Sequence, residues 1–215
     1  NRIHVLCEHI ADLLIIIGFF VLPMLLLADV TIGNKTMLPV DNLFQWEPWQ
    51  SAAPQFDAEI PQNGLLTDMI IQNYVWKQYL IDTVKGGDIP LWNPNLFAGA
   101  PFLAAGQHSA YYPFALIFFL LPLAKAYSWF AVSQLWLAGV MMYVFGRVLK
   151  MRRSSAALAG LIYQGSGFLL VSTAVFPMVV SAAAWLPFLL VCIHIITAQS
   201  KRKLLWSVAG SIALG

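Results

Sequence analysis

Long stretches without a charged residue constrain this chain more than any other feature of its sequence. Residues 126–146 form a run of 21 uncharged residues, and residues 154–200 form a run of 47. A helix needs about 20 apolar residues to cross the hydrocarbon core of a bilayer. The first run therefore predicts one membrane span and the second predicts two, which separate at Phe176-Pro177.

Two shorter apolar runs lie near the ends of the chain. Residues 13–28 predict a first span within residues 1–28, completed by flanking residues. A signal peptide is the alternative, although Glu8 and Asp12 do not suit its basic leading region. Residues 204–215 predict the start of a fifth span, and the sequence is therefore interpreted as the N-terminal part of a longer chain.

The composition excludes several classes of protein. Hydrophobic residues make up 60% and charged residues 10% of the chain, against roughly 45–50% and about 25% in soluble domains. The net charge is only +2, without the clustered basic face that nucleic-acid binding requires. Cys7 and Cys192 form no disulfide framework. These features indicate an all-α polytopic membrane protein that binds membrane lipids and no nucleic acid.

Basic residues predict the orientation of the spans. They are concentrated in two short loops, at residues 147–153 and 201–203. Cytoplasmic loops carry an excess of Lys and Arg, so both loops are expected in the cytoplasm. Two spans separate them, and loops on the same side of a membrane are always separated by an even number of spans. The N-terminus is then cytoplasmic, and residues 29–125 form a long external loop.

Acidic residues are confined almost entirely to that loop. Eight of the 10 Asp and Glu residues lie between residues 29 and 88, and none follows. Any carboxylate chemistry is therefore expected in the external loop. Loops of this length usually carry function.

Two further helices are predicted within the loop. Residues 65–85 have the pattern of an amphipathic helix, with Gly86-Gly87 as its stop signal. Residues 113–124 are apolar but too few to span, and they predict an interfacial or re-entrant helix. Tryptophan and tyrosine residues are frequent in this loop, which is typical of a membrane-interface belt or of the wall of a sugar or lipid-headgroup site.

Several motifs of the loop resemble those of the YfhO family of bacterial membrane proteins. The matching segments are Leu38–Asp41, Asp68–Trp76, Gly87–Pro94, Gly99–Ala104, Gln107–Pro113 and Ser166–Phe168. Two positions depart from the family pattern, Val75 where proline is frequent and Ala100 where threonine is common. Neither position is an acidic residue.

The resemblance implies a fold and an activity. It implies a GT-C-like helical bundle with a long first external loop containing interfacial helices, in the bacterial plasma membrane. Such enzymes transfer a sugar from a polyprenyl-phosphate donor, and an acid of the first external loop is essential. The acceptor would belong to the cell envelope. A single catalytic base that activates the acceptor hydroxyl predicts inversion at the sugar carbon.

Asp68 is the first candidate for that base and Asp41 the second. The structural alternatives are a first-turn helix acid for Asp68 and a turn residue for Asp41. Lys77 or His108 could stabilise the departing phosphate. The candidate substrate-binding residues are Gln72, Lys77, Trp92, Asn93, Gln107 and His108. No cofactor is predicted. The sequence holds no metal-binding motif, and a divalent metal would need folding to bring Asp41 and Asp68 together.

Two other functions compete with this one. The chain could be a non-catalytic accessory or scaffold subunit of a larger membrane complex. A transporter is less consistent with the sequence, because the spans lack the ionisable residues that mark transport paths. Gln134 and Gln164 lie within spans, where polar side chains usually form hydrogen bonds to a neighbouring helix.

Overall fold

The computed structural model describes residues 2–58, 63–106, 108–198 and 203–214. Its ten α-helices, α1 to α10 in chain order, are Arg2–Leu26, Ala28–Thr31, Trp49–Ala52, Val75–Lys85, Ile117–Leu120, Leu123–Val148, Arg153–Gln164, Gly167–Val175, Pro177–Thr197 and Lys203–Leu214. Short 3-10 helices occupy Val40–Gln45, Ala53–Phe56, Gly64–Leu66, Leu103–Ala105 and Pro113–Leu116. A π-helix occupies Met69–Tyr74, and two antiparallel strands are β1, Trp92–Asn93, and β2, Ala100–Pro101.

The chain divides into two compact units. The span unit comprises residues 1–28 and 131–215, and the loop unit comprises residues 29–130. Within the described residues, three helices are long and apolar enough to cross a membrane: His9–Leu26 within α1, and the whole of α6 and α9. This helical architecture confirms the prediction of an all-α, multi-pass membrane protein.

A fourth span would consist of two helices. Helices α7 and α8 meet at an angle of 41° and together satisfy the length and hydropathy of a span. The sequence predicts one continuous helix here, but the chain leaves the helix at Gly165 and Ser166. The Ser166 hydroxyl accepts a hydrogen bond from the Leu169 N–H at 3.5 Å, so it caps the start of α8. The chain leaves the helix again at Phe176, the break that the sequence predicts.

The predicted amphipathic helix over residues 65–85 is not a single α-helix in the structure. The chain forms a 3-10 turn, two α-helical residues and the π-helix Met69–Tyr74, and the α-helix resumes at Val75. The segment 113–124 also divides. It forms a 3-10 turn and α5, and the chain then extends at Leu121 before α6. Leu121 precedes Pro122, and the residue before a proline is sterically driven out of the helical region.

Packing in the span unit centres on the aromatic ring of Phe19. A Cβ atom on Gly160 would lie 2.5 Å from that ring, and one on Gly139 would lie 3.0 Å from it. These two glycines therefore allow α6 and α7 to approach α1 closely. Gln164 Nε2 donates to the Phe19 carbonyl at 2.7 Å, so the prediction that Gln164 bonds across helices is confirmed.

An ion pair connects α1 and α7. Arg153 Nε donates to Asp12 Oδ1 at 2.8 Å, and the hydroxyl of Tyr143 donates to the same carboxylate. Asp12 lies early in the first candidate span, and Arg153 is the first residue of α7. The beginning of α1 and the α6–α7 connection are therefore at the same end of the span unit.

The loop unit has its own hydrophobic core. Leu38, Met69, Phe118 and Tyr127 are among its buried members, so the core joins segments that are distant in the sequence. The Phe118 ring lies 4.9 Å from that of Tyr127, edge to face. Around this core, the 3-10 segment Val40–Gln45 contacts the π-helix Met69–Tyr74.

Candidate functional site

The two candidate bases lie on neighbouring segments of the loop unit. Asp41 belongs to the 3-10 segment Val40–Gln45, and Asp68 immediately precedes the π-helix that this segment contacts. Both carboxylates are exposed, and neither forms a hydrogen bond or ion pair with another described residue. Asp68 does not cap the helix that it precedes. Both side chains are therefore free to accept a proton or a hydrogen bond from a bound molecule.

Two other acids of the loop unit are already engaged. Asp29 accepts a hydrogen bond from Lys35 Nζ at 2.8 Å, and this contact holds the pKa of its carboxyl below the usual value. Asp82 accepts two hydrogen bonds from the Gln78 amide, at 2.8 and 2.9 Å. These contacts distinguish the two carboxylates from the candidate bases.

Lys77 is a buried cation. Only 3% of its surface is exposed, and Nζ donates to the carbonyl oxygen of His108. Nζ also lies 4.6 Å from the centre of the Phe118 ring, a cation–π contact. Burial lowers the pKa of Lys77 to about 8, since the interior disfavours the charged form. In the described part of the chain no carboxylate pairs with this lysine.

His108 holds the backbone that follows β2. Its Nδ1 accepts a hydrogen bond from the Ala110 N–H at 3.1 Å, so the ring proton is on Nε2. Nε2 donates to the Phe102 carbonyl at 2.9 Å, and the two rings stack with centres 4.3 Å apart. Burial lowers the pKa of His108, which favours this neutral ring. Both ring nitrogens are thus used inside the fold.

Trp92 and Asn93 form β1 and differ in exposure. The Trp92 indole is 54% exposed and covers Gly99, where a Cβ atom would lie 2.6 Å from Nε1. Asn93 is buried, and its Oδ1 accepts a hydrogen bond from the Asn95 N–H at 2.9 Å. The Tyr79 hydroxyl donates to the Trp92 carbonyl at 2.7 Å and so fastens this strand to α4.

A small, mostly apolar cavity of about 30 Å³ adjoins these residues. Its lining comprises Trp76, Asn93, Leu96, Ala100, Pro101, Phe102, Ala105 and His108. This volume has room for only a few water molecules. It is therefore far too small for a sugar ring.

The predicted site residues thus form two groups. Lys77, His108 and Asn93 lie together inside the loop unit, whereas Asp41, Asp68 and Gln72 are on its exterior. Gln107 lies outside the described residues. In the part of the chain that the structure describes, no three side chains of His, Cys, Asp or Glu come together as metal ligands.

Sequence reasoning missed two structural contributions. The sequence predicts no role for Lys125, but its Nζ donates to the carbonyls of Val30, Gly33 and Lys35. Phe102 belongs to the motif Gly99–Ala104, but the sequence does not predict that its ring stacks on His108. Neither contact has a sequence signal, because each depends on residues brought together by the fold.

Comparison of the chain with family models, curated proteins and solved structures finds no match. The resemblance to the YfhO family therefore rests on the motifs quoted above. The helical, multi-pass architecture is established by the structure, and the activity and substrates are matters for a proposal.

Proposed function

We propose that this chain is part of an inverting GT-C type glycosyltransferase in the bacterial plasma membrane. It would transfer a sugar from a polyprenyl-phosphate donor to a cell-envelope acceptor, with the loop unit on the external face. One observation carries the proposal. The exposed carboxylates of Asp41 and Asp68 have no hydrogen-bond or ion-pair partner among the described residues and lie on contacting segments of the loop unit.

The proposed reaction needs one base. Asp68, or Asp41 in its place, would accept the proton of an acceptor hydroxyl while the oxygen attacks the anomeric carbon of the donor sugar. The new carbon–oxygen bond forms as the bond to the lipid phosphate breaks, and the electron pair leaves with that phosphate. The leaving group departs as a stable anion, so it requires no general acid. Attack from the face opposite the phosphate inverts the anomeric centre.

Exposed residues of the loop unit would bind the sugar. Gln72 lies four residues after Asp68, and its exposed amide can both donate and accept hydrogen bonds. Trp92 offers an exposed aromatic face, which suits the apolar face of a sugar ring. Lys77, His108 and Asn93 would support these residues from within the fold, since their polar groups already bond to the backbone.

The test is transfer of labelled sugar in membranes that contain the full-length protein. The probes are radiolabelled polyprenyl-phosphate hexoses, and the readout is label in the endogenous acceptor together with released polyprenyl phosphate. Asp68→Asn and Asp41→Asn are compared with the wild type at matched expression. Asp57→Asn is the control, because Asp57 is also exposed and its φ of 51° is a conformation that asparagine accepts readily.

We expect one of the two candidate variants to lose transfer by at least about 100-fold, the usual contribution of a general base. The control should retain wild-type transfer. Unchanged transfer in both variants would overturn the assignment of the carboxylates. Absence of transfer by the wild type with every hexose donor would overturn the proposed activity itself.

A non-catalytic scaffold subunit is the second candidate. It is favoured by the use of Lys77 and His108, since both side chains bond to the protein backbone inside the fold. A scaffold would co-purify with fixed partner subunits, and its association would be unaffected by Asp41→Asn or Asp68→Asn. Loss of transfer in a variant that still assembles would exclude this candidate.

A further inference from the structure

One continuous part of the loop unit carries no charge. Residues 89–124 are 36 consecutive residues without Asp, Glu, Lys or Arg. Many of them are nevertheless on the surface, and the exposed large apolar side chains include Ile89, Leu91, Trp92, Phe97, Leu116 and Leu120. A water-facing surface rarely exposes so many apolar groups without charges between them.

The most exposed of these side chains is held at the tip of a hairpin. Phe97 lies between β1 and β2 and is 91% exposed. Phe97, Ala98 and Gly99 have φ angles of 49°, 62° and 116°, a left-handed run that is unfavourable for the first two residues. The Trp92 ring covers Gly99 and leaves no room for a Cβ atom. The fold therefore maintains a strained backbone that presents an aromatic ring to its surroundings.

A second apolar surface lies next to a candidate span. In the segment Pro113–Leu120, Ala115 and Phe118 face the core of the loop unit, while Leu116 and Leu120 are exposed. Leu120 is followed, three residues later, by the first residue of α6. The exposed leucines are thus continuous along the chain with a helix that is apolar enough to lie in lipid.

We propose that the Phe97 hairpin tip and the Leu116–Leu120 surface insert into the interfacial layer of the bilayer that holds the spans. The loop unit is joined at both ends to candidate spans, so a bilayer is always near it. An uncharged surface can enter beyond the lipid headgroups without the cost of burying charge. Trp92 and Tyr111 are exposed residues of the same uncharged segment and suit the headgroup level.

Spin-label accessibility tests this proposal without any sugar donor, so its outcome is separate from that of the proposed activity. The full-length protein, with Cys7→Ser, Cys192→Ala and any other native cysteine replaced, is reconstituted into phosphatidylcholine vesicles. A nitroxide is attached in turn to Phe97→Cys, Leu120→Cys and the control Phe56→Cys. Phe56 is also an exposed phenylalanine of the loop unit, but it adjoins Asp57.

We expect the labels at positions 97 and 120 to collide severalfold more with oxygen, which dissolves in lipid, than with a water-soluble nickel chelate. The label at position 56 should show the reverse preference. Two results would overturn the proposal. Labels at 97 and 120 that respond like the control would lie in water. Labels shielded from both reagents would be covered by protein, either a second copy or a partner subunit.

Discussion

The two units differ in the side chains that donate hydrogen bonds to their backbone carbonyls. Within the helices of the span unit, the donors to two such carbonyls are neutral: Gln164 bonds to the Phe19 carbonyl, and Tyr163 bonds to the Ala183 carbonyl at 2.7 Å. In the loop unit, the Tyr79 hydroxyl and His108 Nε2 also bond to carbonyls, but two ammonium groups join these neutral donors: Lys77 bonds to one carbonyl and Lys125 to three.

The carbonyls also become free for different reasons. Phe19 and Ala183 each lie four residues before a proline inside a helix, Pro23 in α1 and Pro187 in α9. Proline has no N–H, so the carbonyl four residues earlier loses its helical partner. In the loop unit, three of the four carbonyls bonded to lysines belong to turns and irregular segments, and that of Val30 lies in the last turn of α2, where helical carbonyls lack a partner.

The choice of donor follows from the surroundings. Placing a charged side chain in the bilayer interior costs several kcal/mol, so a neutral amide or hydroxyl is the favoured donor within a span. Outside the membrane an ammonium group is tolerated and can bond to several carbonyls at once. Burying a charge also costs free energy at Lys77, and for this reason burial lowers its pKa.

The largest expected effect is the pH dependence that Lys77 gives to folding. Its pKa is about 8 in the folded protein, against an ordinary value of 10.5. Between these two pH values the unfolded chain binds more protons, so the free energy of unfolding rises with pH. The full rise is about 3 kcal/mol, because one pKa unit corresponds to about 1.4 kcal/mol.

Equilibrium unfolding in mixed micelles from pH 7 to pH 10.5 measures this effect. Lys77→Met removes the titrating group, so the stability of the wild type should increase relative to that variant as the pH rises. Lys85→Met is the matched control, since Lys85 is exposed on the same helix, and its difference from the wild type should stay flat. If the difference between the wild type and Lys77→Met also stayed constant with pH, folding would not lower the pKa of Lys77, and the prediction would be wrong.

A smaller effect is expected from the close packing around Phe19. In Gly160→Ala, the added Cβ would lie 2.5 Å from the Phe19 ring and 2.8 Å from the Gly139 carbonyl, so helices must move apart. Such overpacking typically costs about 1–3 kcal/mol. Gly18→Ala is the control, because nothing lies within 4 Å of its Cβ. Similar unfolding free energies for the two variants would contradict this packing.

The sequence predicted the helical membrane architecture because its signal is local. An uncharged run such as residues 126–146 needs no partner to be recognised as a span, and α6 covers it. The chain breaks at Gly165-Ser166 and at Leu121 were harder to predict, because both lie in apolar sequence that could also continue as helix. Glycine and proline were visible there, but their effect depended on the surrounding structure.

The candidate site was only partly predictable for a related reason. Residue types indicate which side chains can do chemistry, so Asp68 and Lys77 could be proposed from the sequence. Burial decides whether those groups face a substrate or the backbone, and burial depends on contacts between distant segments. Lys77 meets His108 across 31 positions of the chain. The free carbonyls of Phe19 and Ala183 could have been predicted. Each lies four residues before a proline, Pro23 or Pro187, and this spacing is visible in the sequence alone.

The smallest effect tests the central difference between the two units. Tyr163→Phe removes only the hydroxyl that bonds to the Ala183 carbonyl. Hydrogen bonds between membrane helices average about 0.6 kcal/mol and reach about 1.7. We therefore expect a loss of about 1 kcal/mol in the free energy of unfolding, measured in the same mixed micelles.

A double-mutant cycle with Pro187→Ala identifies the cause of that loss. Alanine at position 187 restores an N–H that can bond to the Ala183 carbonyl within α9, so the tyrosine hydroxyl is no longer needed there. Tyr163→Phe should then cost much less in the Pro187→Ala background than in the wild type. Pro23→Ala is the control background, since it restores the partner of Phe19 in a different helix and should leave the cost unchanged. An equal cost in all three backgrounds would show that Tyr163 stabilises α9 independently of its proline.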